Sequence, residues 1–287
     1  MYSKSIMIEF INNHKPIYLA SGQTHSIYRV GQFACKVSKY DGSYDDTDEY
    51  EREIFCLQLL SKNNFPCVTP IGIFDRNEFT HAIFKNKTVF VEEFIQGESL
   101  FDNPTQKAAD YPMLYEFIER INSITCESFG YVLECCHSSW NDFLSDIKKK
   151  ICDFLIEIGN LEFYNKIVGL DLTSSYDGKP HVLLMEFNPH NFIFDGTTYK
   201  AIDVNSLLCG DVIYQWVRLK THLDLRGRTH YCDRYLKDVD YRLIEKYIIL
   251  SCGNDIVTRK KLGLDYQKEW DYFKSMVISC GELNEKI

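Results

Sequence analysis

The 287-residue chain has no apolar run of the ~18 residues that a membrane-spanning helix requires. Residues 1–10 carry a short apolar patch broken by Glu9, with no small-residue cleavage site after it. They do not read as a signal peptide, and the expected address is cytoplasmic. Basic charge is in short supply. Lys and Arg number 32 against 41 Asp and Glu, giving a net charge of −9. A general nucleic-acid binder or an anionic-membrane binder needs a basic face, so this balance argues against both. It suits a cationic small substrate, although plain solubility accounts for it equally. The eleven cysteines include no Cys-x-x-Cys pair, and the eight histidines no His-x-x-x-His spacing. Cys35, Cys56 and Cys209 lie in apolar stretches and read as buried, reduced thiols rather than ligands or disulfides. No role follows for the adjacent Cys135 and Cys136. There is no internal repeat and no low-complexity linker.

What is present is a chain 45% hydrophobic, enough for a large core in one large or two smaller units. Strand signals fall at 17–19, 26–29 and 33–37, separated by turn residues. An acidic turn at 45–48 starts a helix running through Glu53 to about Leu60. Pro66 and Pro70 bracket an extended piece, and 79–84 with 88–95 read as a hairpin turning at 85–87. After Gly97 the pattern turns helical. Met113, Leu114, Phe117, Ile118 and Ile121 mark one helix face. Trp140, Phe143, Leu144, Ile147, Ile151, Phe154 and Leu155 mark another, capped by Ser138 or Ser139. Further helices are expected around Trp216, over 241–249 and over 270–277. The simplest architecture is α+β: a small β-rich lobe, residues 1–96, joined near 93–97 to a larger, mostly helical lobe, residues 97–287.

Between the helices lies Leu183-Leu-Met-Glu-Phe-Asn-Pro-His-Asn-Phe-Ile-Phe194, then Ala201-Ile-Asp-Val-Asn205. Glu186, Asn191 and Asp203 bring two acids and an amide onto neighbouring loops. Mg²⁺ takes such hard oxygen donors, usually one or two from protein and the rest from phosphate and water. A turn at Asp195-Gly196 would pair the flanking strands and bring Asn191 beside Asp203. Upstream, alternation along Phe33-Ala-Cys-Lys-Val37 puts Lys36 opposite in face to Phe33, Cys35 and Val37. Glu53, on the following helix, is its natural counter-charge. Ser21 and Gly22, in a loop between two strands, could offer backbone N–H groups to phosphate, although a plain hairpin turn explains them as well. Backbone groups near Glu93 and Ile95 could read a base edge at the strand exit, where the alternative is an ordinary strand end. His190 reads as loop packing.

In this order the motifs resemble the aminoglycoside phosphotransferase and choline kinase-like branch of the protein-kinase-like fold. That family's catalytic segment runs His-Gly-Asp-x-x-x-x-Asn, then Ile-Asp and, further on, Gly-Asp. This chain has Leu184-Met-Glu-Phe-Asn-Pro-His-Asn191, then Ile202-Asp203 and Gly210-Asp211 followed by Tyr214. Arg52-Glu53, Glu92-Glu-Phe-Ile-Gln-Gly-Glu-Ser-Leu100 and Trp140-Asn-Asp-Phe-Leu144 extend the likeness over residues from about 17 to 220. The resemblance implies an ATP- (or GTP-) and Mg²⁺-dependent small-molecule kinase. Lys36, held by Glu53, would contact phosphates, and Glu93 and Ile95 would read the base. Asn191 and Asp203 would bind the metal, and Glu186 would occupy the catalytic-base position. The acceptor would be an aminoglycoside-like or amino-alcohol hydroxyl. The chain departs from the pattern where Leu184-Met-Glu186 replaces His-Gly-Asp, and a nucleotide-binding pseudokinase with a protein-interaction role is the alternative.

Overall fold

In the computed structural model the described residues are 3–22, 24–39, 47–108, 111–134, 136–227 and 232–284. The first elements are α1 (Lys4–Asn13), β1 (Ile17–Ser21), β2 (His25–Val30), β3 (Phe33–Ser38), α2 (Thr47–Lys62), β4 (Pro70–Phe74), β5 (Val89–Glu93) and β6 (Glu98–Ser99). Next come α3 (Pro104–Ala108), α4 (Pro112–Ile121), β7 (Gly130–Tyr131), α5 (Trp140–Glu157), α6 (Leu161–Gly169) and β8 (His181–Leu184). The chain continues through β9 (Phe192–Phe194), β10 (Tyr199–Ala201), β11 (Leu207–Gly210), α7 (Val212–Asp224), α8 (Asp233–Leu236), α9 (Tyr241–Lys261) and α10 (Gln267–Asn284). Two compact units result. One comprises Met1–Glu116 with Asn188–Leu207, the other Phe117–Phe187 with Leu208–Ile287.

The first unit is built on an antiparallel sheet of order β1-β2-β3-β5-β4. Every residue of β3 is buried, because both faces of the sheet are covered. Phe33, Cys35 and Val37 join Met7 and Ile11 of α1 in one apolar cluster. On the other face Tyr50 of α2 stacks on Phe90 of β5, and its hydroxyl donates to the Lys36 carbonyl. A lysine in the middle of such a strand is therefore enclosed, and it needs a counter-charge. A second, small sheet runs β10-β9-β6. Gly97 permits this pairing, because a Cβ there would overlap the Phe194 carbonyl oxygen.

The second unit is mainly helical. The face of α5 from Trp140 to Leu155 is buried as its spacing predicts, and Ser139 and Asp142 close a capping box. A buried network lies beneath it. Trp140 Nε1 donates to the Tyr247 hydroxyl at 2.7 Å, and that hydroxyl donates to Asp211 Oδ2 at 2.6 Å, with Ser174 Oγ 2.9 Å away. Asp211 also caps α7 by accepting from the Ile213 N–H. No helix among the described residues is long and apolar enough to cross a membrane.

Two expectations need correction. The hairpin of 79–84 with 88–95 is not formed: β5 pairs instead with β4, and 79–84 are turns packing Phe79 and Phe84 into the core. Burial of two aromatic rings imitated a strand's apolar pattern. Cys209 is not a free thiol but is bonded to Cys126, 83 residues away. The pairing of β11 with β7 carries position 209 to the segment just before β7, a proximity that local composition cannot reveal. Cys35 and Cys56 are buried free thiols as expected, whereas Cys135 lies outside the described residues. Finally, α1 and α6 were not anticipated. The acidic turn expected at 45–48 lies partly outside the described residues, and α2 begins at Thr47.

Candidate active site

Lys36 reaches the first unit's interior at 3% exposure, and its ammonium donates to Glu53 of α2, itself 2% exposed. The same nitrogen lies 3.1 Å from Asp203 Oδ1 and 3.8 Å from Glu92 Oε1. One ammonium thus serves three carboxylates. Burial works against the Lys36 charge, but Glu53, Glu92 and Asp203 outweigh it and hold the group well above the usual lysine range. The Lys36 charge holds the Asp203 carboxyl below its ordinary value. Burial pushes Glu92 up to about 8, against the pull of Lys36. Its second oxygen, Oε2, is buried with no hydrogen-bond partner. Glu92 was not foreseen as part of this cluster. It faces the Lys36 side because the β3–β5 register sets Glu92 opposite Ala34 and Phe90 opposite Lys36.

Asp203 arrives at Lys36 from residues 167 positions away, and the route is visible. The β9–β10 hairpin turns at Asp195-Gly196, where Asp195 accepts from the Thr197 and Thr198 N–H groups. The far end of β10 is clamped by the extended segment after α2: the Val68 N–H donates to the Ala201 carbonyl, and the Ala201 N–H to the Pro66 carbonyl. Asp203 itself has φ 55°, a left-handed conformation that costs most residues about 1–3 kcal/mol and that Asp tolerates better than most. Asn191 ends a 3₁₀ turn, Pro189–Asn191, whose cap is the Asn188 side chain accepting from the His190 N–H. Pro at the first helical position suits such a turn. The Asn191 carbonyl accepts from the Ile202 N–H at 2.8 Å, and its amide nitrogen donates to the Asp203 carbonyl at 3.4 Å. Asn191 and Asp203 are therefore brought together, and His190 packs by stacking on Phe101.

The donor chemistry fits a hard cation. Lys36 engages Asp203 through Oδ1, leaving the other carboxylate oxygen and the Asn191 amide oxygen as the protein donors. Among the described residues no three His, Cys, Asp or Glu side chains form a metal cage, so phosphate and water would complete the coordination.

Ser21 and Gly22 sit at the β1–β2 hairpin tip. The Gly22 N–H donates to the His25 carbonyl and the Gly22 carbonyl accepts from Lys39, so this glycine's polar groups serve the turn. At the strand exit the Glu93 N–H donates to Thr69 and the Phe94 N–H to Gln32. The Glu93 side chain lies 3.8 Å from Lys200, and Ile95 is buried. Glu186 belongs to the second unit. It is exposed two residues after β8, between buried Met185 and Phe187.

The sequence matches no protein-family model and no curated protein. Solved structures do match. A thermostable variant of aminoglycoside phosphotransferase APH(4)-Ia, in ternary complex with ADP and hygromycin B, is 14% identical, with 98% of each chain covered and a TM-score of 0.63. APH(2")-IIa in complex with gentamicin is 15% identical, with 97% of this chain and 96% of that one covered and a TM-score of 0.59. A GDP complex of an aminoglycoside 2'-phosphotransferase-IIIa variant is 15% identical, with 99% and 97% covered and a TM-score of 0.54. At such identities the likeness is one of fold: this chain has the α+β, protein-kinase-like fold of the aminoglycoside phosphotransferases.

Proposed function

We propose that this chain transfers the terminal phosphoryl group of Mg²⁺-bound ATP or GTP to a hydroxyl of a small cationic acceptor, an aminoglycoside or a related amino alcohol. The observation that carries this reading is the buried Lys36–Glu53 pair with Asp203 at its ammonium and Asn191 beside Asp203. Lys36 would bind nucleotide phosphates, with Glu53 keeping it charged and aimed. Asn191 and Asp203 would hold Mg²⁺, which supplies neutralisation of phosphate charge when bound. Phosphate oxygens would take over the Lys36 contact that Asp203 now makes. Carbonyls and N–H groups around Glu93 and Ile95 would face the base, with the Glu93 N–H already committed. Glu186 would orient the acceptor hydroxyl and accept its proton as the new P–O bond forms and the nucleoside diphosphate leaves. The fold neighbours support this choice, because one was solved with ADP and hygromycin B, another with gentamicin and a third with GDP. The acidic net charge of −9 fits a cationic acceptor.

One observation favours a second reading, a nucleotide-binding pseudokinase. Glu186 is one methylene longer than the family's Asp, and a displacement on the order of 1 Å can cost ~100-fold in rate. Titration with Mg·ATP and Mg·GTP, followed by a transfer screen over aminoglycosides, amino alcohols, sugars and nucleosides, separates the two. Transfer is expected, with Asp203→Asn lowering kcat by roughly 100-fold or more. Binding without transfer to any acceptor would favour the pseudokinase. No Mg²⁺-dependent binding, together with an Asp203→Asn variant that behaves as the parent, would overturn both.

A further inference from the structure

Glu186 lies just beyond the end of β8, where sheet hydrogen bonds no longer fix the chain. The residues on either side of it are nevertheless held from α7, Met185 through its backbone and Phe187 through its ring. Arg218 Nε donates to the Met185 carbonyl at 3.1 Å, one residue before Glu186. One turn along the same helix, the His222 ring meets the Phe187 ring, one residue after Glu186, with centroids 6.3 Å apart. Met185 and Phe187 are buried, and Glu186 between them is exposed. Arg218 is itself fixed. Its Nη1 donates to Asp255 at 2.7 Å and lies 3.4 Å from Ser251 Oγ, both on α9.

We propose that Arg218 is a positioning residue for the catalytic carboxylate: anchored to Asp255, its guanidinium grips the Met185 carbonyl and sets the backbone from which Glu186 projects. This rests on the reading of Glu186 as the acid that orients the acceptor. The choice of side chain matters. A guanidinium is planar and always charged, so two bonds to α9 fix the direction in which Nε points. A lysine could keep an ion pair with Asp255 but would not carry that direction to Met185. A largely enclosed ion pair is also no better for stability than well-packed apolar residues of the same size, so its presence calls for a positional reason. The sequence supplies one. Leu184 stands where the family's loop has His, and at 3% exposure it can only pack. With a longer acid on a loop lacking that support, the backbone itself must be held. His222 contributes shape and not a proton, because burial first, and then Arg226 and Arg218, pull its pKa down to about 3.

The test is a double-mutant cycle in the whole 287-residue chain with Arg218→Lys, Glu186→Gln and both together. Arg218→Lys should lower kcat by roughly 10- to 100-fold while the nucleotide Kd changes less than about twofold. In the Glu186→Gln background the same change should cost almost nothing, since the group to be aimed is gone. Amide hydrogen exchange gives a readout without turnover: protection at 185–188 should fall, with α5 and α9 unchanged. Asp255→Asn should reproduce both effects more weakly and serves in place of Arg218→Lys if that variant fails to fold. Additive losses in the cycle, or unchanged kcat and unchanged exchange at 185–188, overturn the inference while leaving the proposed function intact. Absence of transfer by the parent enzyme would sink the functional reading first, and this inference with it.

Discussion

Lys36 carries one positive charge and faces Glu53, Asp203 and Glu92, so the cluster holds more carboxylates than its cation can balance. Nature's usual remedy for a surplus buried charge is a retained proton. Glu92 is the group to keep it, because burial pushes it up to about 8 and its Oε2 has no partner. This fixes the sign of a pH effect. Below the ordinary value of 4.5 the folded and unfolded chains both hold the Glu92 proton. Between there and about 8 only the folded chain holds it, so each rise in pH favours unfolding. Melting at about pH 6 and about pH 9 should show lower stability at the higher pH, and Glu92→Gln should flatten that decline. A parent and variant with parallel pH profiles would show that Glu92 is ionised in both states. At this level the sequence was partly legible. Alternation placed Lys36 on the face opposite Cys35, and the order of strand and helix supplied Glu53. Glu92 stayed hidden because its place depends on the register of β3 with β5, which no local pattern states.

Among the elements, those announced by a long period or by turn chemistry were readable. The α5 face is one, and the Asp195-Gly196 hairpin that returns Asp203 toward Asn191 is another. Elements defined by distant partners were not. The hairpin expected at 79–84 gave way to β4–β5 because Phe79 and Phe84 are core residues on turns. Glu186 and Arg218 show the same limit: the motif pointed to Glu186, but the hydrogen bond to the carbonyl just before it comes from α7, 33 residues downstream of Met185. The buried Trp140–Tyr247–Asp211 network joins α5, α9 and the start of α7 in a similar way. Tyr247→Phe would keep the ring but remove the hydroxyl, which also contacts Ser174, leaving the Trp140 N–H and an Asp211 oxygen unsatisfied. Each such loss costs about 1–3 kcal/mol, so urea unfolding should report a destabilisation of roughly 2–6 kcal/mol. A change under about 0.5 kcal/mol would mean that water takes over the hydroxyl's bonds.

For the whole molecule, the one property read from composition that bears on function is charge. On the proposed function, a net charge of −9 would attract a polycationic acceptor and repel the nucleotide, which Lys36 and Mg²⁺ would have to admit. Attraction between exposed charges is screened over about 10 Å at 0.1 M salt. Raising NaCl from about 0.02 M to about 0.3 M should therefore raise the KM for a polycationic aminoglycoside by roughly three- to tenfold. The KM for Mg²⁺-nucleotide should change little or fall, because the enclosed Lys36 is screened less than surface charge. A neutral sugar acceptor, if turned over, should show no such rise. The comparison separates two uses of acidic composition. If the polycation and the neutral acceptor respond alike, the charge serves solubility, and acceptor recognition rests on pocket shape instead of on field.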